Sequence, residues 1–174
     1  MRAASRRAPA DPARELYQTP LAEFVRARNE IAARLSRSGH ADEAKAVRAL
    51  AKPKATVWGL NRVAHRTPKT IQRALKTFDA LKDAQLRRPE QFGHASEELR
   101  VAVDAAVDQA AALMTAEGLR VSLDMRRRMD TTLRGAAAGA RDALVRGGLT
   151  EELPAPGFEL FTAAKPRARR TRST

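Results

Sequence analysis

Apolar side chains recur along most of this chain at three- and four-residue intervals, the spacing of one face of an α-helix. Thr19-Pro20 pairs a capping residue with proline at a first helical position, and Leu21, Phe24, Val25, Arg28, Ile31 and Leu35 then keep the period until Ser38-Gly39. A second helix is expected over 41–51, with Ala44, Val47 and Leu50 inward and Pro53 as its stop. A third runs from near Pro53 to His65 and carries Val57, Trp58, Leu60, Asn61 and Ala64. Thr67-Pro68 repeats the opening signal, and Ile71, Ala74, Leu75, Phe78 and Leu81 mark the inner face of a fourth helix ending before Pro89.

Ser96-Glu97-Glu98 predicts the start of a fifth helix, because carboxylates suit the positive end of the helix dipole. Leu99, Val103, Ala106, Val107 and Ala110 form its apolar face, and Gly118 closes it. A sixth helix over 122–134 would bury Leu123, Met129 and Leu133, and a seventh over 138–146 stops at Gly147-Gly148. Gly135 and Gly139 read as breaks between them. No segment alternates with period two, so no sheet is expected. The fold class is therefore all-α: a compact bundle of about six to seven short helices, antiparallel where loops are short. The helical domain is placed at 17–160, and a division into subdomains 17–88 and 96–148 is compatible with the pattern. A head over 1–16 and a tail over 161–174 are basic, lack an apolar pattern and are expected to be disordered.

Charge adds the main functional clue. The 174 residues hold 33 Lys and Arg against 20 Asp and Glu, a formal net charge of +13. The excess is uneven: residues 21–94 carry +9, residues 95–148 are balanced, and each end carries +2. Cations gathered on a folded surface create a directional field, which favours an anionic partner. The absence of cysteine excludes disulfides and Cys-ligated zinc or iron–sulfur sites. No apolar run reaches the roughly 18 to 20 residues a membrane span needs. The basic start Met1–Arg7 is followed by no hydrophobic stretch, unlike a secretory signal. A cytoplasmic protein, associated with the nucleoid or the ribosome, is the expected setting.

Little in the sequence supports chemistry. His40, His65 and His94 are isolated from one another and lack the i, i+4 pairing of a zinc helix. No Gly-Xaa-Ser-Xaa-Gly elbow or phosphate-cradling glycine loop is present. Glu97/Glu98 and Glu151/Glu152 are neighbours that point about 100° apart on a helix, not facing acid–base pairs. The expectation is a non-enzymatic protein with no metal and no cofactor.

The candidate nucleic-acid contacts are Lys52, Lys54, Arg62, Arg66, Lys69, Arg73, Lys76 and Arg88, joined by Arg167, Arg169 and Arg170 of the tail. Lys69, Arg73 and Lys76 stand at i, i+4 and i+7, opposite the Ile71/Leu75/Phe78 face, where they can follow a phosphate backbone. A solvated face chosen for solubility fits the same spacing. Thr70–Leu75 has the look of a repressor recognition helix, with Gln72 and Arg73 able to read base edges. Its spacing from Val63-Ala64 is about three residues too short for a helix-turn-helix, and Thr67-Pro68 replaces the usual turn glycine. Arg126-Arg127-Arg128 spreads over about 200° of helix and reads as surface. Trp58 and Asn61, at i, i+3, are read as structural anchors, with the indole N–H in need of a partner.

Several of these residues also carry a resemblance. Leu21-Ala22-Glu23-Phe24 with Arg26 and Arg28, Ala46–Pro53, Val57-Trp58 with Asn61, and Leu153 with Pro156-Gly157-Phe158 resemble a group of uncharacterised helical proteins of high-GC actinobacteria. Lys52-Pro53 followed by Trp58 and Asn61 is its most specific part. The resemblance implies an all-helical bacterial cytoplasmic protein and no catalytic activity. Members of that group continue into a long charged helix, where this sequence has a short basic tail.

Two classes of partner follow. The first is nucleic acid, DNA or ribosomal RNA, held through phosphates. The alternative is an adaptor or regulatory module whose basic face meets an acidic protein partner, or whose Ala-rich helices form a homodimer. A membrane surface is not expected, because no helix joins large apolar residues to a strongly cationic face.

Overall fold

The computed structural model describes residues 12–156. Among them eight α-helices follow in order: α1 (Pro12–Tyr17), α2 (Phe24–Arg37), α3 (Ala41–Ala49), α4 (Ala55–Arg66), α5 (Pro68–Arg87), α6 (Phe92–Ala116), α7 (Leu123–Gly139) and α8 (Arg141–Arg146). Short 3-10 turns at Leu21–Glu23 and Pro89–Gln91 lead into α2 and α6, and no strand is present among the described residues. The chain is an all-α bundle, as the hydrophobic period predicts. No described helix is long and apolar enough to cross a membrane.

The central element is α4. Every residue from Thr56 to Ala64 is buried, because α5, α6, α7 and α8 all pack against this helix. Val57, Leu60 and Val63 meet Phe78 of α5, Val103 of α6 and Met129 of α7 in the main core. Each such side chain contributes about 1.5–3 kcal/mol when fully buried. A smaller cluster joins Leu16 and Tyr17 of α1 to Phe24, Ile31 and Val47 of α2 and α3. Burial therefore divides near Leu50–Lys54, between α3 and α4. A boundary at 88–96 would cut through the core that α4 and α5 share with α6.

Several boundaries differ from the sequence expectation. The head is not patternless to its end: Pro12–Tyr17 is helical, and Leu16 and Tyr17 are buried. Thr19 does not cap a following helix. Its hydroxyl donates to the Leu16 carbonyl at 2.7 Å, closing α1 instead. Helix α6 opens at Phe92, ahead of Ser96, because Pro89 starts a 3-10 turn that runs straight into it. The first turns of α6 bury only Ala95, so they show little apolar period. Leu123 is 75% exposed: it begins α7 outside the packed stretch.

Gly135 does not break a helix. It lies inside α7, where an added Cβ would run into the Pro154 carbonyl and come within 3.0 Å of Leu153 Cβ. The glycine lets the closing segment, residues 147–156, lie directly on α7. The break falls instead at Ala140, between α7 and α8.

Candidate nucleic-acid interface

The expected cations separate into two groups once the helices are assembled. Arg62, Lys54 and Arg88 are committed to the protein itself. Arg62 is only 7% exposed. Its guanidinium lies 5.4 Å above the Trp58 ring, donates from Nη1 to the Gln18 carbonyl, and sits 3.7 Å from Glu117. Its Nε has no partner among the described residues. Burial, then the nearby charge of Arg66, lowers its proton affinity, and Glu117 opposes them. Arg62 thus ties α1 and α6 to α4 and cannot meet a phosphate. The period gave no warning, because α4 is packed on all sides from Thr56 to Ala64, and only Arg66, at its last position, is exposed.

Lys54 donates to Glu152 at 2.8 Å, and the Thr56 hydroxyl donates to the same carboxylate at 2.6 Å. Arg128 approaches it at 3.6 Å. Burial alone would raise the Glu152 carboxyl, but the hydrogen bonds from Lys54 and Thr56 and the charge of Arg128 hold it below its ordinary value. This cluster fastens the closing segment to the start of α4. At the far end of α5, Arg88 pairs with Asp83, which Arg87 also approaches. Lys54 and Arg88 thus each have a carboxylate partner that they share with a second cation, Arg128 and Arg87 respectively, and both remain half or more exposed.

Trp58 and Asn61 anchor the segments around Thr19 and Leu149 to α4. The indole N–H donates to the Thr19 carbonyl at 2.9 Å. The Asn61 amide donates to the Leu149 carbonyl and its oxygen accepts from the Leu149 N–H, both at 2.9 Å. Both side chains are fully buried.

Lys52, Arg66, Lys69, Arg73 and Lys76 remain exposed, with no ion pair to any described residue. Lys69, Arg73 and Lys76 lie outward on the first half of α5, while Ile71, Ala74, Leu75 and Phe78 are buried on its other side. Their rows span roughly 10 Å along the helix. Thr67 alone joins α4 to α5, as the last cap of one and the first cap of the other. That one-residue joint leaves no room for a helix-turn-helix turn. The Thr67 and Thr70 hydroxyls donate to Gln109 Oε1 of α6, at 2.6 and 3.0 Å, which fixes the start of α5. Lys52 sits beyond the other end of α4, a helix about 18 Å long, and so does not converge with Arg66 and the α5 row. The tail residues Arg167, Arg169 and Arg170 lie outside the described residues.

Five of the eight arginines of segment 95–148 are ion-paired, Arg128 with Asp124 among them, while Arg120, Arg127 and Arg146 have no ion pair among the described residues. Arg100 bonds Glu97 and Asp104, Arg126 bonds Asp108, Arg134 bonds Asp130 and Arg141 bonds Asp79. A groove of about 460 Å³ between α6 and α7 is lined by Asp104, Arg126, Arg127 and Asp130, and three of these four charges are already paired. His40 lies 3.1 Å from the Ser38 hydroxyl, and His94 lies one turn from Glu98. No three His, Asp or Glu side chains among the described residues are grouped to hold a metal ion. Comparison with protein-family models, with curated proteins and with solved structures gives no match.

Proposed function

We propose that this protein binds nucleic acid, DNA or structured ribosomal RNA, through its phosphate backbone and without catalysis. The observation that carries this reading is the row of Lys69, Arg73 and Lys76. Three cations stand unpaired on one exposed side of a helix whose other side is core. An unpaired, aligned row can exchange its counterions for phosphates, and this gives affinity that is steep in salt and tolerant of sequence. The rigid mounting of the row, with Thr67 and Thr70 held by Gln109, limits the entropy lost on binding.

The test is fluorescence anisotropy with duplex DNA, and sedimentation with ribosomes, at about 50 mM salt. Binding to either is expected. Absence of both overturns the reading. A partner that survives nuclease treatment in a pull-down, with no nucleic-acid affinity in the purified protein, would instead identify an acidic protein as the target.

A further inference from the structure

The row on α5 does not end at α5. Helix α8 packs against α4, α5 and α7, and two contacts set its position. At its start, the Arg141 guanidinium donates to Asp79 at 2.6 Å and to the Leu75 carbonyl at 3.1 Å. At its end, Gly147 adopts φ +63°, and an added Cβ there would fall 2.6 Å from His65 Nε2 and 2.9 Å from the Asn61 carbonyl oxygen. Only glycine satisfies both the left-handed conformation and that approach. α8 therefore starts beside the middle of α5 and finishes against the last turn of α4.

This placement brings Arg146, the residue before Gly147, to the α4–α5 joint, where Arg66 follows His65 and Lys69 opens α5. Arg146 is exposed and has no ion pair, although Asp142 stands one turn earlier on the same helix. Its charge is invisible in a segment-by-segment count, since residues 95–148 sum to zero.

We infer that Arg66, Lys69, Arg73, Lys76 and Arg146 form one platform across the α4–α5 joint and the end of α8, and that its ligand is a double-stranded nucleic acid contacted on its phosphates, with Arg146 as one of the contacts. The inference rests on the proposed nucleic-acid reading and extends it to a partner class and a new residue. Two features favour a duplex. The cations lie on three packed helices, α4, α5 and α8, and so make a surface, not a track, which suits a stiff array of phosphates. Among the described residues the platform also carries no Phe, Tyr or Trp on which an unpaired base could stack. Tyr17, Phe24, Trp58 and Phe78 are buried, and Phe92 is at the opposite end of the α5–α6 hairpin.

The experiment compares 20-mer duplex DNA, 20-mer duplex RNA, single-stranded DNA of equal phosphate number and polyglutamate as ligands of the full chain at about 50 mM salt. The proteins are wild type, Arg146→Glu, Arg146→Gln, Asp142→Asn, Arg127→Glu and the combined Lys69→Glu, Arg73→Glu, Lys76→Glu variant. A duplex is expected to bind at least tenfold tighter than the single strand, and the stronger of the two duplexes identifies its source. Loss of one phosphate contact in Arg146→Glu should weaken duplex binding about tenfold. Arg146→Gln should weaken it less, and Asp142→Asn should strengthen it about twofold. Arg127→Glu, an unpaired cation on α7, should match wild type within twofold. If Arg146→Glu and Arg146→Gln both match Arg127→Glu while the triple variant loses binding, the platform is wrong and the α5 row stands. Equal or tighter binding of the single strand overturns the duplex assignment. Polyglutamate bound as tightly as duplex assigns the surface to an acidic protein. No duplex binding by wild type removes both readings.

Discussion

The side-chain amide of Asn61 pairs with both backbone groups of Leu149, donating to one and accepting from the other at 2.9 Å, across 88 residues of sequence. The pair is fully shielded from water, so neither partner group has an alternative. Asn61→Ala leaves a buried N–H and a buried carbonyl unsatisfied, each worth about 1–3 kcal/mol. Urea unfolding should show a loss of about 2–4 kcal/mol. A change below roughly 0.5 kcal/mol would mean that the closing segment is not held there.

Trp58 is the single tryptophan of the chain, so intrinsic fluorescence reports on one place. Trp58→Phe keeps most of the apolar burial but loses the bond to the Thr19 carbonyl, at a cost near 1 kcal/mol. Trp58→Ala should cost about 3–5 kcal/mol. In wild type the emission should be blue-shifted and should move red together with the loss of helical circular dichroism. A red-shifted native spectrum would contradict the buried placement.

Glu152 gives a signed pH dependence. Its folded-state proton affinity lies below the ordinary value of 4.5. Its contribution is therefore fully present above that ordinary value and is lost as pH falls through the lower folded value. Glu152→Gln should reduce stability by about 1 kcal/mol at neutral pH, since Lys54 is largely exposed. The wild-type advantage should shrink progressively below about pH 4.5. An advantage constant from pH 7 to pH 3 would exclude the carboxylate as its source.

Arg62 and Arg73 should behave oppositely. Arg62→Glu places an unpaired carboxylate beside Glu117 in a buried position and should cost at least about 3 kcal/mol of stability. Arg73→Glu should leave the thermal midpoint within a few degrees and weaken nucleic-acid binding instead. The paired measurement is calorimetry with anisotropy on each variant, and a stability loss at Arg73 as large as at Arg62 would contradict the assignment of their roles.

The all-α class and the inner faces of α2, α3, α5 and α6 were legible because one side of each of these helices repeats at 3.6 residues, whereas α1 was missed and the count fell one short. The signal failed where only packing decides. Gly135 carries the local mark of a stop, yet it is required small by Pro154, a contact that sequence spacing cannot encode. Leu123 stands about 80–120° off the Met129/Leu133 face of α7 and starts the helix before it meets the core. Lys69, Arg73 and Lys76 could be placed on one face from spacing alone. Arg62, Lys54 and Arg88 could not be set apart from them, because Gln18, Glu152 and Asp83 become their partners only in the folded chain. Arg146 escaped notice for the reverse reason: its neutral segment hides an unpaired charge that folding carries to the α4–α5 joint.

The central claim, that Lys69, Arg73 and Lys76 bind phosphates, is tested most directly by the salt dependence of duplex affinity in wild type and in the triple charge-reversal variant. Each phosphate contact adds close to 0.9 to the slope of log affinity against log salt. The variant should lose about 3 from that slope between 50 and 200 mM salt and bind far more weakly at the lower concentration, with an unchanged helical spectrum. An identical slope and affinity in the two proteins would contradict the claim.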